Sequence, residues 1–191
     1  MHPATHLLLG WGAATALPLS KRDRALVCIA GVLPDLDGLG IVVEKLTLHS
    51  EQPLYWYATY HHVLAHNLGF GLAVAAGAAA LASARTRAAL LVLASFHLHL
   101  LADLAGSRGP DGSSWPLRYL WPFDGLELSW QGQWAFNAWP NFAITLALLA
   151  WTFRVAAQRG HSPLELVSLR ADAAFCATVR RWFSRGRPRQ R

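Results

Sequence analysis

Long apolar runs rich in Ala and Leu and interrupted by Gly make up most of the chain, and the strict alternation typical of β-strands is rare. Because such runs favour helix, the pattern predicts helices throughout. Their approximate bounds are 4–17, 24–33 with an apolar extension to Val43, 58–84, 87–105, 140–158 and 164 onward. The predicted fold class is all-α: an up-and-down, membrane-associated bundle of about five helices followed by a C-terminal amphipathic helix.

The last predicted helix has the strongest start signal and an amphipathic pattern. Ser162-Pro163-Leu164-Glu165 has the form of a capping box with Pro at the first helical position. Its apolar stripe consists of Leu164, Val167, Ala171, Phe175, Val179 and Trp182, while Arg170, Arg180 and Arg181 lie off that stripe. Such a helix suits a membrane surface or the outside of the bundle, and the pattern does not choose between them.

Between the fourth and fifth predicted helices lies a long segment, 106–139, that is rich in tryptophan, Gly and Pro. It holds five of the nine tryptophans, which are Trp115, Trp121, Trp130, Trp134 and Trp139. A loop of this length without predicted structure is usually functional. Three interpretations stay open: a belt at the membrane interface, an apolar lid, or a satellite hydrophobic core.

Composition narrows the class of protein. Of 191 residues, 53% are hydrophobic and only 15% are charged, whereas soluble domains have about 25% charged residues. These values exclude disordered, collagen-like and coiled-coil chains, and the only two cysteines, Cys28 and Cys176, exclude a disulfide scaffold. The charge-free stretch 68–84 and the nearly charge-free stretch 88–102 are at the short end of the roughly 17–25 residues that a bilayer needs. A helical protein embedded in or attached to a membrane remains.

Basic residues are concentrated on what becomes one side of an antiparallel bundle. The net charge is +6, and the segment from Arg154 to the C-terminus holds nine arginines against Glu165 and Asp172. The first and third predicted loops carry Lys21, Arg22, Arg24, Arg85 and Arg87. By the positive-inside rule this side faces the cytoplasm. We interpret the arginine-rich tail as a cytoplasmic flank near anionic lipid, and we expect no nucleic-acid partner.

Other polar residues of the apolar helices converge at the opposite end of the predicted bundle. They are His6, Asp35, Asp37, His61, His62, His66, His97, His99 and Asp103. His99 and Asp103 are spaced i,i+4 and share a helix face, as do His62 and His66, whereas His61 needs an irregular turn to approach His66. Asp103 lies in a helix whose interior lacks Lys and Arg, so an unpaired carboxylate there is costly, and Arg108 is the nearest cation.

Imidazole and carboxylate groups in this number are typical ligands of Zn²⁺, Mn²⁺ or Fe²⁺. Three carboxylates with several histidines can bridge two or three such ions, which activate water and neutralise a phosphoryl or acyl oxygen. Two other interpretations remain open: a purely structural polar network, and a path for protons or ions. Motifs of other catalytic classes, such as G-x-S-x-G and H-E-x-x-H, do not occur.

These residues resemble the pattern of the bacterial inner-membrane metal-dependent hydrolase family over about residues 1–155. The matching pieces are His6, Leu33-Pro34-Asp35-Leu36-Asp37, His61-His62-Val63-Leu64-Ala65-His66, His99-Leu100-Leu101-Ala102-Asp103 and Tyr119-Leu120-Trp121-Pro122-Phe123. The resemblance implies a membrane location, metal-dependent hydrolysis and metal ligands at His6, Asp35, Asp37, His61, His66, His99 and Asp103. The chain departs from the pattern at two positions, where the family has Arg and Thr or Ser and this sequence has His62 and Ala65. Either the lost Arg weakens binding of an anionic substrate, or His62 replaces it.

The ligand pattern is also similar to that of the zinc-dependent phospholipase C and P1 nuclease fold. That fold uses H-x-x-x-D on a helix together with a bridging Asp, and the analogy favours a phosphoester substrate.

The sequence therefore predicts a membrane-bound, metal-dependent hydrolase acting on phosphoesters of a lipid or another amphiphile through a metal-activated water. We expect the catalytic residues to be Asp35, Asp37, His62 and Arg108, with Asp35 or Asp37 bridging the metal ions and Arg108 holding an anionic group. The expected cofactor is a divalent metal, Zn in two or three ions, with Mn or Fe as alternatives. The alternative function is a non-catalytic, partner-binding or regulatory membrane protein stabilised by a metal or polar network.

Two regions are expected along the chain: a metal-binding membrane helical domain over 1–160, and an amphipathic helix with a basic cytoplasmic tail over 161–191. The expected location is the bacterial inner membrane, with the site facing the non-cytoplasmic side. Membrane lipid and a small-molecule or lipid phosphoester are the expected partners.

Overall fold

Eight α-helices and two short 3₁₀ helices build the protein in the computed structural model, which describes residues 1–109 and 111–185. The α-helices are α1 (Pro3–Ala14), α2 (Lys21–Ala30), α3 (Gly40–Thr47), α4 (Trp56–Tyr60), α5 (Leu68–Leu81), α6 (Arg85–Gly106), α7 (Trp139–Arg159) and α8 (Leu169–Arg185). The 3₁₀ helices are Leu33–Leu39 and Pro163–Leu166. Two isolated β-bridges are the only strand-like pairings in the described part of the chain, so the all-α prediction is confirmed. The last residues of the basic tail, 186–191, lie outside the described residues.

The predicted extension of the second helix to Val43 is wrong, because the helix breaks after α2. Pro34 lacks an N–H and disfavours helical backbone at the residue before it, which ends the helix. The chain continues as the 3₁₀ helix Leu33–Leu39 and then as α3, and this part is bent by 47° from α2. The break leaves two carboxylates on irregular backbone.

The predicted helix over 58–84 is also wrong, because it is interrupted by turns over 61–67. Asn67 begins α5 by accepting a hydrogen bond from the N–H of Phe70 at 2.9 Å. His62 has a φ of 66°, in the left-handed region that does not continue a helix. The i,i+4 spacing of His62 and His66 therefore does not place these two side chains on one face of a helix, as it was predicted to do.

The core lies between α1, α2, α5, α6 and α7. Its buried members include Trp11, Ala14, Val27, Cys28, Ala30, Ala75, Ala78, Val92 and Val155. The helices α1 and α2 touch through glycine: a Cβ placed on Gly31 would lie 2.9 Å from the Cα of Gly10. This close approach packs the two helices side by side and holds the start of α1 and the end of α2 at the same end of the bundle.

Two buried acids tie the basic segments together at one end of the bundle, as the antiparallel arrangement predicts. Asp23 accepts hydrogen bonds from the N–H groups of Ser83 and Ala84, at 2.8 and 3.0 Å. Glu165 accepts two hydrogen bonds from the guanidinium of Arg24, at 2.8 and 2.7 Å. The predicted capping box is confirmed only in part. Ser162 caps the 3₁₀ helix Pro163–Leu166, accepting a hydrogen bond from the N–H of Leu164 at 3.3 Å, but Glu165 pairs with α2 instead of reaching back to this helix start.

The tryptophan-rich segment between α6 and α7 closes the other end. Asn141 in the first turn of α7 donates hydrogen bonds to the carbonyls of Gly106 and Phe136, at 2.9 and 2.7 Å, and accepts one from the indole of Trp134 at 2.7 Å. Leu117 packs in a small second core with Phe96 and Leu100 of α6. The satellite core thus exists, but Leu117 and not a tryptophan is its buried member from this segment.

Two helices, α6 and α7, are long and apolar enough to cross a membrane. The bent pair formed by α2 and Leu33–Thr47 would be a third span if it crosses as one unit. The apolar helix α5 has 14 residues and is shorter than a full span.

Candidate metal centre

Four separate segments bring the predicted site residues to one end of the bundle, opposite the basic segments. The residues are His6 on α1, Asp35 and Asp37 on the 3₁₀ helix Leu33–Leu39, His61, His62 and His66 in the turns 61–67, and His99 and Asp103 on α6. They form three groups, and within each group the potential ligand atoms all lie within 4.8 Å of one another. The irregular turn that His61 needs to approach His66 is present.

The first group consists of His6, Asp35, His99 and Asp103. The Nε2 atoms of His6 and His99 lie 3.1 and 3.0 Å from the two carboxylate oxygens of Asp103, and Asp35 Oδ1 lies 3.8 Å from His99 Nε2. The rings of His6 and His99 are stacked with their centroids 3.7 Å apart. Two imidazoles from different helices thus face one buried carboxylate.

The second group consists of Asp37, His61 and His66. Asp37 Oδ1 lies 2.8 Å from His61 Nδ1, and Asp37 Oδ2 lies 3.0 Å from His66 Nδ1. The N–H of Ala65 donates to the same Oδ2 atom at 3.1 Å. Asp37 thereby holds the turns 61–67 against the 3₁₀ helix.

The third group joins the other two because it shares a residue with each. It consists of His62, His66 and Asp103, with His62 Nε2 and His66 Nε2 at 3.9 and 3.5 Å from Asp103 Oδ2. His66 also belongs to the second group, and Asp103 to the first. The three groups therefore form one continuous set of donors and not separate ion pairs.

Several buried polar atoms of this set have no hydrogen-bond partner among the described residues. They are Asp35 Oδ2, Asp103 Oδ2, His6 Nδ1 and His62 Nδ1. A buried carboxylate oxygen that accepts no hydrogen bond is costly unless a cation neutralises it. Imidazole nitrogen and carboxylate oxygen atoms are also the ligand atoms that Zn²⁺ and similar ions bind. The residues present fit a divalent metal ion, and the cluster can hold one.

A backbone contact fixes the orientation of His99. Its Nδ1 lies 2.9 Å from the carbonyl oxygen of Gly31, which can only accept, so Nδ1 carries the hydrogen. The lone pair of the neutral ring is then on Nε2, which faces Asp103 and Asp35. This is the arrangement by which proteins orient a metal-binding histidine.

The neighbouring imidazoles of the turns 61–67 have pKa values shifted in opposite directions. Burial lowers the pKa of His66, but the negative charges of Asp103 and Asp37 and the hydrogen bond with Asp37 outweigh burial and raise it to about 9. Burial and the nearby charge of His66 hold the pKa of His62 well below its ordinary value. The two rings therefore differ in how readily they hold a proton when no metal is bound.

A cavity of about 880 Å³ opens beside the cluster. Its wall includes Asp35, His61, His62 and Asp103 together with the apolar side chains of Leu39, Trp115 and Phe136. Arg108 also lines it, as the sequence suggested, and its Nη2 donates to the carbonyl of Gln131 at 2.8 Å. Its buried Nε has no partner in the described part of the chain. The cavity thus combines an apolar wall with carboxylates and one guanidinium.

Arg108, the cation nearest to Asp103 in the sequence, does not pair with that carboxylate in the part of the chain that the structure describes. The Asp103 carboxylate instead contacts the amino group of Met1, the imidazoles described above and the hydroxyl of Ser107, which donates to Oδ1 at 2.7 Å. Ser107 is spaced i,i+4 from Asp103, a signal that the sequence contained. His97 lies outside the cluster, where its ring contacts the Leu93 carbonyl and the Tyr119 hydroxyl at 2.7 and 2.8 Å.

Two aromatic residues cover part of the site. Nothing in the sequence pointed to Tyr57, whereas Trp115 belongs to the tryptophan-rich segment, for which an apolar lid was one of the open interpretations. Tyr57 stacks on His61 with ring centroids 4.6 Å apart. Trp115 packs edge-on against the rings of both His61 and His62, with ring centroids 5.4 and 5.0 Å apart. Both side chains cover the turns 61–67 from the cavity side, and neither belongs to a periodic pattern that could have identified it.

A sequence model of the YdjM inner membrane protein family matches residues 1–183. No curated protein and no solved structure matches the chain.

Proposed function

The chain belongs to the YdjM inner membrane protein family, and on that premise we propose that it is a membrane-bound, metal-dependent hydrolase that cleaves phosphoester bonds of a lipid or another amphiphile. One observation carries the proposal. Eight imidazole and carboxylate side chains form a continuous donor set, and part of that set lines a cavity that also holds a guanidinium. Acids, imidazoles and a cation beside one cavity are the groups that phosphoester hydrolysis uses.

The donor set provides for two or three ions. His6, Asp35, His99 and Asp103 would hold one ion and Asp37, His61 and His66 another, with His66 and Asp103 also available to a third. Zn is preferred, with Mn or Fe as alternatives. When bound, such ions polarise a phosphoryl oxygen and lower the pKa of water.

The protein's own groups bind and orient the substrate. Arg108 lines the cavity with donors that match a phosphate, so it holds the anionic group of the substrate. His62 also lines the cavity, and its Nδ1 has no partner among the described residues, so this atom can accept or return a proton. Trp115 covers the two adjacent histidines and limits the access of bulk water to them.

An amphiphilic substrate suits the apolar surroundings of the cavity. Leu39 and Phe136 line it while remaining 61% and 47% exposed, so the apolar wall continues from the cavity onto the surface. Leu46 on the adjacent α3 is 81% exposed. Contiguous exposed apolar side chains on a membrane protein mark contact with lipid or an apolar ligand.

The sidedness of the site follows from charge. The basic segments around Arg24 and Arg87 lie at the end opposite the cluster, and such segments stay in the cytoplasm. We therefore assign the site to the non-cytoplasmic side of the inner membrane and the C-terminal tail to the cytoplasm.

The test uses the full chain in lipid nanodiscs, stripped with a chelator and reloaded separately with Zn, Mn or Fe. The substrates are a nitrophenyl phosphate monoester, a nitrophenyl phosphate diester and a fluorescent short-chain phospholipid. We expect metal-dependent cleavage of at least one, lost in Asp103→Asn and retained in Asp23→Asn, which alters a buried acid at the opposite end. Absence of cleavage with every metal, in protein that has bound the metal, would contradict the proposal.

A second candidate is a non-catalytic membrane protein that the cluster stabilises. The observation that favours it is that contacts of the cluster already join four segments, from α1 to α6, without any added group. A structural site predicts that chelation lowers the melting temperature strongly while no substrate is cleaved. For the hydrolase, chelation removes activity at temperatures where the fold persists.

A further inference from the structure

The helix α8 has two parts that differ in what covers them. In the first part, Cys176 and Val179 are buried against Ala156 of α7, and the rings of Phe175 and Phe153 lie 5.4 Å apart. These contacts involve the last turns of α7. The beginning of α8 therefore lies on the bundle, next to the point where α7 ends.

The apolar stripe of α8 continues beyond this contact. Trp182 and Phe183 follow Val179 by three and four residues, so they share its face of the helix. Each is nevertheless 60% exposed, whereas Val179 is fully buried. The face that packs on α7 thus extends past the protein with two large aromatic side chains on it.

The acids of this region are turned into the protein, which leaves the arginines free. Glu165 pairs with Arg24, and Asp172 accepts hydrogen bonds from the N–H and hydroxyl of Ser162 at 2.7 and 2.6 Å. Arg170 and Arg181 are exposed, and neither has a carboxylate partner in the part of the chain that the structure describes. The surface of α8 is therefore basic around its apolar face.

The position of α8 determines what its aromatic face meets. The helix crosses the last turns of α7, which is apolar enough to span the membrane. The apolar face of α8 packs on the end of this spanning helix. Where α8 extends beyond α7, the same face is therefore directed toward the bilayer. Aromatic side chains on one face and arginines on the others are typical of a helix in the headgroup region of an anionic membrane.

We propose that the last turns of α8 dock onto anionic phospholipid of the membrane that α6 and α7 span. Trp182 and Phe183 enter the boundary between headgroups and acyl chains, and Arg181 beside them remains at the level of the phosphates. This contact is independent of the metal cluster, because α8 supplies none of its donors. It ties the cytoplasm-facing end of the bundle to lipid charge, so the docked fraction depends on membrane composition.

The test places a nitroxide label on Cys introduced by Phe183→Cys in the full chain. Cys28 and Cys176 are 0% and 3% exposed, so the unaltered chain serves as the control for labelling elsewhere. The protein is reconstituted in phosphatidylcholine alone or mixed with an equal part of phosphatidylglycerol. Collisions of the label with dissolved oxygen and with a water-soluble nickel complex then report its depth.

In the mixed membrane we expect the label at position 183 to collide with oxygen more than with nickel, and this preference to decline in phosphatidylcholine alone. A label introduced by Ala174→Cys, on the opposite exposed side of α8, stays nickel-accessible in both membranes. Because one basic residue near an anionic surface changes the docked-to-free ratio about fivefold, Arg181→Gln should lower that ratio by about this factor.

Three outcomes would overturn the proposal. High nickel access at position 183 in both membranes would mean that α8 does not dock onto lipid. Shielding from both reagents would mean that protein covers the face, as in contact with a second copy. A label that stays nickel-accessible until duplex DNA immobilises it would assign the arginines to nucleic acid.

Discussion

The Nε2 atoms of His66 and His99 lie 3.2 Å apart, and both face Asp103 Oδ2, at 3.5 and 3.0 Å. The two rings come from different segments, the turns 61–67 and α6, and both are fully buried. Two imidazole nitrogens this close to each other and to one carboxylate oxygen are stable only with a positive charge between them, which either a proton on His66 or a metal ion supplies. A metal ion provides that charge and also satisfies the Asp103 oxygen that otherwise has no hydrogen bond among the described residues.

Asp103→Asn should remove bound metal from the protein. The amide oxygen is a weaker ligand than a carboxylate. Asp103 is also the residue that the first and the third group share, so the change weakens both groups. Elemental mass spectrometry of protein purified in mild detergent measures the metal per chain. Asp23→Asn is the matched control, because it loses backbone hydrogen bonds at the other end and should keep its metal. Equal metal in Asp103→Asn and the unaltered chain would show that the assigned ligands are wrong.

The backbone at His62 should tolerate Asn but not Val. With φ at 66°, the position has a conformation that Asn adopts readily, whereas a β-branched residue pays about 1–2 kcal/mol there. We expect His62→Asn to melt close to the unaltered chain and His62→Val to melt several degrees lower. Thermal unfolding in detergent measures both. Similar melting temperatures for the two variants would show that the left-handed turn is not maintained.

With the fold preserved, His62→Asn also isolates the chemistry of the imidazole. We expect it to slow turnover of a cleaved phosphoester by about a hundredfold, which is the lower range for loss of a group that transfers a proton. The matched comparison is metal content, which should stay near that of the unaltered chain because the other donors remain. Full turnover in His62→Asn would assign the ring to structure alone.

Gly31→Ala should lower both stability and metal content. An added Cβ would lie 2.9 Å from the backbone of Gly10 and from the carbonyl oxygen of His6, so α1 and α2 must separate. Overpacking of this kind costs about 1–3 kcal/mol, and the carbonyl that orients His99 moves with it. Gly77→Ala is the control, because nothing lies within 4 Å of its added Cβ. Elemental analysis and thermal unfolding of the two variants provide the check. Equal effects would mean that the close helix contact does not position the site.

Arg24→Met should destabilise the protein far more than Arg118→Met. Removing Arg24 leaves the carboxylate of Glu165, which is 3% exposed, buried without a partner at a cost of about 3 kcal/mol or more. The pair of Arg118 and Glu127 is exposed, and such pairs contribute less than about 1 kcal/mol. Thermal unfolding in detergent compares the two variants. If both variants lowered the melting temperature equally, Arg24 would not be the group that stabilises the buried carboxylate of Glu165.

The convergence of the cluster was predictable because it depends on few assumptions. His6, Asp35, the histidines 61–66 and Asp103 each lie at a helix end or break, and an antiparallel order brings those ends together without knowledge of any side-chain contact. The basic segments fell at the opposite end for the same reason. Alternation of direction along the chain thus predicted which residues meet.

The details that failed depend on local competition or on distant partners. Asn67 can continue a helix or cap one, and it caps because the turns before it are held by Asp37, thirty positions earlier in the chain. Glu165 fits a capping box by spacing, but burial against Arg24 of α2 takes its carboxylate away. Trp115 reaches the histidines through an irregular loop, whose path no periodic pattern describes.

The amide of Asn141 has consequences for recombination within the family. Its donor and acceptor groups hold two pieces of chain: the end of α6 at Gly106, and the tryptophan-rich segment at Phe136 and at the indole of Trp134. A chimaera that exchanges only residues 107–138 therefore separates the loop from the residue that fastens it. The smallest interchangeable module runs from Gly106 to Asn141, so new cavity walls can be acquired only together with the first turn of α7.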